Sequence, residues 1–118
     1  LSYRCQNYIN KHLPVSAKIW VLFTNNKNFY LRRAYISDYV IEDFTFHRWL
    51  LAASTPADLV KAFERKGVTH IFTRDAILDP ALYMDKPDKR RLMIDFFARG
   101  CKLLHSSNGY AVFEIRSR

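Results

Sequence analysis

Asn25, Asn26 and Lys27 follow an apolar run that ends at Phe23, and Arg32 and Arg33 come shortly after them. Amide and cationic side chains in a loop that leaves a strand suit an anion, so these residues form the candidate anion-binding site. The loop has the position of a phosphate cradle but contains no glycine. Without one, the backbone cannot approach an anion closely enough to present its N–H groups. A dinucleotide fingerprint is likewise absent. What is left is a loose site, set against the bland reading that Asn-rich turns are commonly just turns.

Other chemistries find less support. His12, His47, His70 and His105 are scattered singly, and Cys5 and Cys101 lie at opposite ends of the chain with no close ligand partner, so the sequence implies no metal and no cofactor. No Gly-x-Ser-x-Gly elbow occurs, and Ser54, Ser106 and Ser107 read as cap and turn residues. Glu42 and Asp43 diverge in an extended segment and meet only obliquely in a helix, which is poor geometry for acid–base work. Tyr30, Tyr35, Tyr39 and Trp49 near Arg32, Arg33 and Arg48 could stack bases. No RRM, KH or helix-turn-helix pattern accompanies them, so most of these aromatics are assigned to core or interface. No residue is assigned a catalytic role.

The elements that must position these groups belong to one domain. The chain has 118 residues, 49% hydrophobic and 25% charged, with 3 Gly and 4 Pro. Such a chain buries roughly two-thirds of its unfolded surface. No apolar run is longer than Ile19–Phe23, far short of the ~20 residues of a membrane span. The net charge of +8 attracts anionic partners such as acidic lipid, phosphorylated ligands or nucleic acid. Two cysteines exclude a disulfide-dense scaffold; a single bridge and two buried free thiols both remain open, and the burial habit of free cysteine favours the second. The chain opens Leu1-Ser2-Tyr3 without Met or a signal-peptide pattern, and reads as a piece of something longer.

Leu1, Cys5, Tyr8, Ile9 and His12 recur at helical spacing, predicting a short amphipathic helix over 1–12. Residues 17–24 are β-branched and aromatic without alternation, as expected of a central strand covered on both faces. A weaker strand is expected over 34–37, and 38–54 reads as an irregular connection with a helical turn near 48–53. Thr55-Pro56-Ala57-Asp58 combines an N-cap, a proline at the first helical position and an acid at the third, predicting a helix from 56 to about 66 that stops at Gly67. A strand over 68–72, a shorter helix over 76–83 and a helix over 87–99 follow. Asn108-Gly109 then joins two strand-like runs in a tight hairpin. The result is an α/β domain with a central mixed sheet of about five strands, a C-terminal antiparallel hairpin and flanking helices.

Taken whole, the chain resembles the C-terminal soluble domain of bacterial multi-pass GT-C-type glycosyltransferases, the group related to dolichyl-phosphate-mannose-protein mannosyltransferases. The matching segments are Tyr8–Pro14, Ala17–Phe23, Tyr30–Arg33, Ser54–Leu59, Lys66–Phe72 and Asn108–Ile115, in that order. The resemblance implies a non-catalytic fragment, because that family's catalytic acids lie on extracytoplasmic loops of its membrane-embedded part. It further implies a periplasmic position on the bacterial inner membrane. The expected partners are the membrane-embedded part of the same polypeptide, anionic lipid or a polyprenyl-phosphate sugar, and a glycan or protein acceptor. Nucleic acid is set aside as a partner in this reading; the alternative is a stand-alone nucleotide- or nucleic-acid-binding module using the same basic residues.

Overall fold

The structure, a computed structural model, describes residues 3–22, 31–38, 45–75 and 86–116. The expected loop at Asn25–Asn28 and the expected helix over 76–83 lie outside them. In chain order the elements are α1 (Tyr3–His12), β1 (Lys18–Leu22), β2 (Ala34–Asp38), α2 (Thr45–Ala52), α3 (Pro56–Arg65), β3 (His70–Arg74), α4 (Pro87–Asp95) continued by a π-helical turn (Phe96–Gly100), β4 (Cys101–Ser107) and β5 (Tyr110–Ile115). Among the described residues no helix is long and apolar enough to cross a membrane.

The strand order is β2-β1-β3-β5-β4. β1 pairs in parallel with β2 and β3, whereas β5 is antiparallel to both β3 and β4. Thus the unalternating apolar run does lie inside the sheet, and its two faces feed two cores. Trp20 and Leu22 pack with Phe46, Phe63, Phe96 and the rest of the cluster under α2, α3 and α4. Ile19 and Val21 pack with Cys5 and Ile9 of α1 on the other side. Three layers result, as alternating strands and helices require.

Local signals explain most boundaries. Thr55 and Asp58 form the expected capping box: the Asp58 N–H donates to Thr55 Oγ1 at 3.3 Å, while Asp58 Oδ2 accepts from the N–H groups of Ser54 and Thr55 at 2.9 and 3.1 Å. Those two donors hold the Asp58 carboxyl below its ordinary value. The folded chain therefore takes up this proton less readily than the unfolded one. The resulting stabilisation is complete above the unfolded carboxyl's value and is lost as pH falls through the lower folded value. Thr55→Ala is expected to cost about 1 kcal/mol in urea unfolding, and Asp58→Asn to flatten the acid limb of the stability curve. An unchanged acid limb in the Asn variant would contradict this assignment.

The hairpin turn places Asn108 at φ 55° and Gly109 at φ 83°, the left-handed pair demanded by a two-residue primed turn. At Gly100 the constraint is space: an added Cβ would lie 3.1 Å from Phe96 Cδ1 and 3.3 Å from Val60 Cγ2. The helix expected to run regularly to residue 99 instead widens into the π turn. Phe96 and Phe97, adjacent in sequence, are both buried there.

Two expectations need correction. The segment read as an irregular connection holds a regular helix, α2, because Phe46, Leu50 and Ala53 bury one helical stripe with Trp49 half-buried beside them. Flanking aromatics hide that period in the sequence. His12, expected on the buried stripe of α1, is exposed and lies tilted against Tyr8 at 4.7 Å between ring centroids, while Tyr8 stacks on His105 at 4.6 Å.

Cys5 and Cys101 are both free and buried. Burial pushes the Cys5 thiol up to about 11 and the Cys101 thiol up to about 12. Since the thiolate is the reactive form, neither should react appreciably with a thiol reagent near neutral pH in the folded protein. Both should react at once in denaturant without prior reduction. A need for reductant would contradict two free thiols.

Candidate functional site

Strand register decides where the charged residues gather. Ile19 opposes Tyr35 on one side and His70 on the other, His70 opposes Glu114, and Glu114 opposes Lys102, so one row crosses the sheet near the end where the parallel strands begin, one position beyond the Lys18–Ala34 pair. The row is stitched by backbone bonds from Thr69 N–H to Lys18 O at 2.9 Å and from Ile115 N–H to Thr69 O at 3.0 Å. We call this the amino end of the sheet.

Every element that starts or stops here brings a cation. Lys11 stands in the last turn of α1, and Arg32 and Arg33 immediately precede β2. Lys66 follows α3 and precedes Gly67 of the cleft described below, whereas Arg65, the last residue of α3, lines a separate cleft with Trp49, Asp58 and Lys61. Arg99 lies in the π turn; Lys102 is near the start of β4; and Arg116 follows β5, its N–H donating to Gly100 O at 2.8 Å. Apart from Arg33 these side chains are all exposed. Together they far outnumber the two carboxylates at this end, Glu64 and Glu114, while the other acids among the described residues lie elsewhere.

Within this basic surround lies a cleft of about 480 Å³ whose walls include Ser16, Glu64, Gly67, Thr69, His70 and Glu114. That volume falls in the range of small-ligand sites. The Thr69 hydroxyl accepts from Lys18 N–H at 3.0 Å and donates to Lys18 O at 3.3 Å. The same hydroxyl lies 2.7 Å from His70 Nδ1, a hydrogen bond that ties the imidazole to Thr69. Burial holds its pKa below the ordinary histidine value, with the Glu114 carboxylate pulling the other way.

No three His, Cys, Asp or Glu side chains among the described residues come together in a way that could hold a metal ion. Glu114, exposed and opposite Lys102, makes no ion pair with it, so the carboxylate is available to accept hydrogen bonds.

Of the sequence-derived site, Asn25, Asn26 and Lys27 lie outside the described residues. Arg32 and Arg33 stand at the amino end of the sheet, whereas Leu22, the last described residue before the asparagines, is at the opposite end. Arg32 is exposed, and its backbone N–H donates to Asn10 Oδ1 at 2.7 Å. Arg33 is different. Its guanidinium donates to the carbonyls of Pro14 at 3.0 Å, Asn10 at 2.9 Å, Leu13 at 2.9 Å and Arg32 at 3.2 Å, closing off the C-terminal end of α1. Thr69, His70 and Glu114 escaped the sequence reading. Their signals are slight: His70 is the polar residue of an apolar strand, and Glu114 interrupts β5 between Phe113 and Ile115.

Among solved structures, the fold is similar to the crystal structure of the C-terminal globular domain of an oligosaccharyltransferase from Archaeoglobus fulgidus, with a TM-score of 0.58 over 97% of this chain and 96% of that one. The likeness is one of fold. The two sequences are 14% identical. No protein-family model and no curated protein matches the chain.

Proposed function

We propose that the chain is the extracytoplasmic, non-catalytic domain of a bacterial membrane glycosyltransferase that uses a polyprenyl-phosphate-linked sugar. One observation carries the reading: a nearly end-to-end likeness of fold to the C-terminal globular domain of an oligosaccharyltransferase. Segment-by-segment resemblance to the mannosyltransferase-like group points the same way. In this reading residues 1–118 are a single domain at the end of a longer polypeptide, on the periplasmic face of the inner membrane. Its immediate partner is the membrane-embedded part of the same chain.

The domain assists binding of the acceptor or of a lipid-phosphate headgroup. Asn25, Asn26, Lys27 and Arg32 supply the contacts. Arg33, anchored on the carbonyls of Asn10, Leu13 and Pro14, fixes the backbone that carries Arg32. The basic amino end of the sheet supports this role, because an anionic ligand approaching it is favoured from several directions at once.

Deleting the 118 residues from the full-length enzyme is expected to raise KM for acceptor or donor while leaving kcat nearly unchanged, the signature of lost uniform binding. Abolished kcat in a deletion variant that still inserts in the membrane would place chemistry in this domain and overturn the reading.

A further inference from the structure

The amino-end cleft combines two kinds of group that no single simple ligand class satisfies. Its lining carries the carboxylates Glu64 and Glu114, and exposed cations adjoin lining residues: Lys66 precedes Gly67, Lys102 opposes Glu114 and Arg116 follows Ile115. Its interior presents the Glu114 carboxylate, an acceptor, and the imidazole of His70, held by its 2.7 Å hydrogen bond with Thr69. A bare polyanion satisfies the cations, but its oxygens would face a carboxylate inside and offer it no proton. A metal ion fits the carboxylates, but it would be repelled by the cations and lacks a ligand set among the described residues. A flat bilayer surface reaches the cations and leaves the cleft empty. A ligand that carries hydroxyl donors for the interior and negative charge for the cations satisfies both.

Position argues further against the bilayer. The first turn of α1 lies beside the hairpin end of β4, with the Cys5 thiol donating to Ser107 O at 3.8 Å, whereas the cleft is at the opposite end of the strands. In the reading in which a membrane span precedes the domain, the cleft lies at the end of the sheet away from the first turn of α1.

We infer that the cleft formed by Ser16, Thr69, His70 and Glu114 binds an acidic oligosaccharide, its hydroxyls donating to Glu114 and hydrogen-bonding with His70 and its phosphate or carboxylate groups lying on the surrounding arginines and lysines. The inference rests on the reading of the chain as a glycosyltransferase domain, for which this ligand is the acceptor. It names that acceptor's chemistry and gives Glu114 and His70 a recognition role.

Titration of the 118-residue chain by calorimetry and amide NMR tests it with four soluble probes and one surface: phosphomannan, polygalacturonate, uncharged mannan, polyphosphate, and phosphatidylglycerol vesicles. At least one acidic glycan should bind roughly tenfold or more tighter than mannan or polyphosphate, shifting the amides of Thr69, His70 and Glu114. Glu114→Ala should weaken that complex about tenfold, the usual loss for one hydrogen bond to a charged group, without changing polyphosphate binding. Arg116→Glu should weaken both. Equal affinity for polyphosphate and the acidic glycans, preference for vesicles, or no binding at all each overturns the inference. The parent reading fails separately: a native polypeptide without membrane spans sinks that reading even where the acidic glycan binds.

Discussion

Replacing Phe63 by Ala is expected to lower folding stability by about 3–5 kcal/mol, the largest effect of any single substitution considered in this chain. Phe63 is fully buried at the junction of α3 with the sheet. It stacks on Phe96 at 5.7 Å, meets Trp20 and Trp49 edge-on at 5.5 and 5.1 Å, and lies 5.8 Å from Phe46. Removing the ring takes away the common neighbour of four aromatic side chains on α2, β1 and the π turn, and rigid elements on three sides prevent the cavity from collapsing. Total stability of such domains is typically only about 5–15 kcal/mol, so the variant should be largely unfolded in moderate urea. Its near-ultraviolet dichroism, dominated by Trp20 and Trp49, should weaken as well. Ile94→Ala, at a site 50% exposed, serves as control and should shift stability by no more than about 0.5 kcal/mol. A Phe63→Ala loss as small as the control's would contradict the packing described here.

Arg33→Ala should cost about 2 kcal/mol, within the range for hydrogen bonds made by a charged group. The side chain serves the carbonyls of Asn10, Leu13 and Pro14 together; Asn10 and Leu13 lie where carbonyls lose their helical partners as α1 ends, and the Pro14 carbonyl also accepts from the Ala17 N–H at 3.0 Å. Arg33→Lys should restore only part of the loss, because a point-like ammonium cannot span several carbonyls as a planar guanidinium does. The urea midpoint should fall with an unchanged slope, and amide exchange should speed first in the last turn of α1 and along β2. If the variant instead lost affinity for an anion at wild-type stability, Arg33 would be a ligand-binding residue and its positioning role would be wrong.

The contrast between Arg33 and Phe63 shows what a sequence can and cannot disclose. β1 was legible because an unbroken run of β-branched and aromatic residues has one economical use, a strand buried on both faces. The capping box of α3 and the Asn108–Gly109 turn were legible because their chemistry closes within four residues. α2 was not, since aromatics on both sides of Phe46, Trp49 and Leu50 blur a helical period that only packing against Phe63 and Phe96 makes plain. The candidate site divides in the same way. Arg32 and Arg33 stood out as charge, but three of the four carbonyls that engage the Arg33 guanidinium lie 19 to 23 residues upstream. Thr69 reaches Lys18 across 51 positions. Contacts so distant in sequence exist only after the sheet has brought its strand ends together.

The central claim, that this domain is the water-facing part of a membrane-embedded sugar transferase, is most directly tested by immunoblotting fractionated cells of the native source with an antibody raised against the 118-residue chain. The account predicts a single band far heavier than 14.0 kDa that sediments with membranes and resists carbonate extraction. A band near 14.0 kDa in the soluble fraction would contradict it.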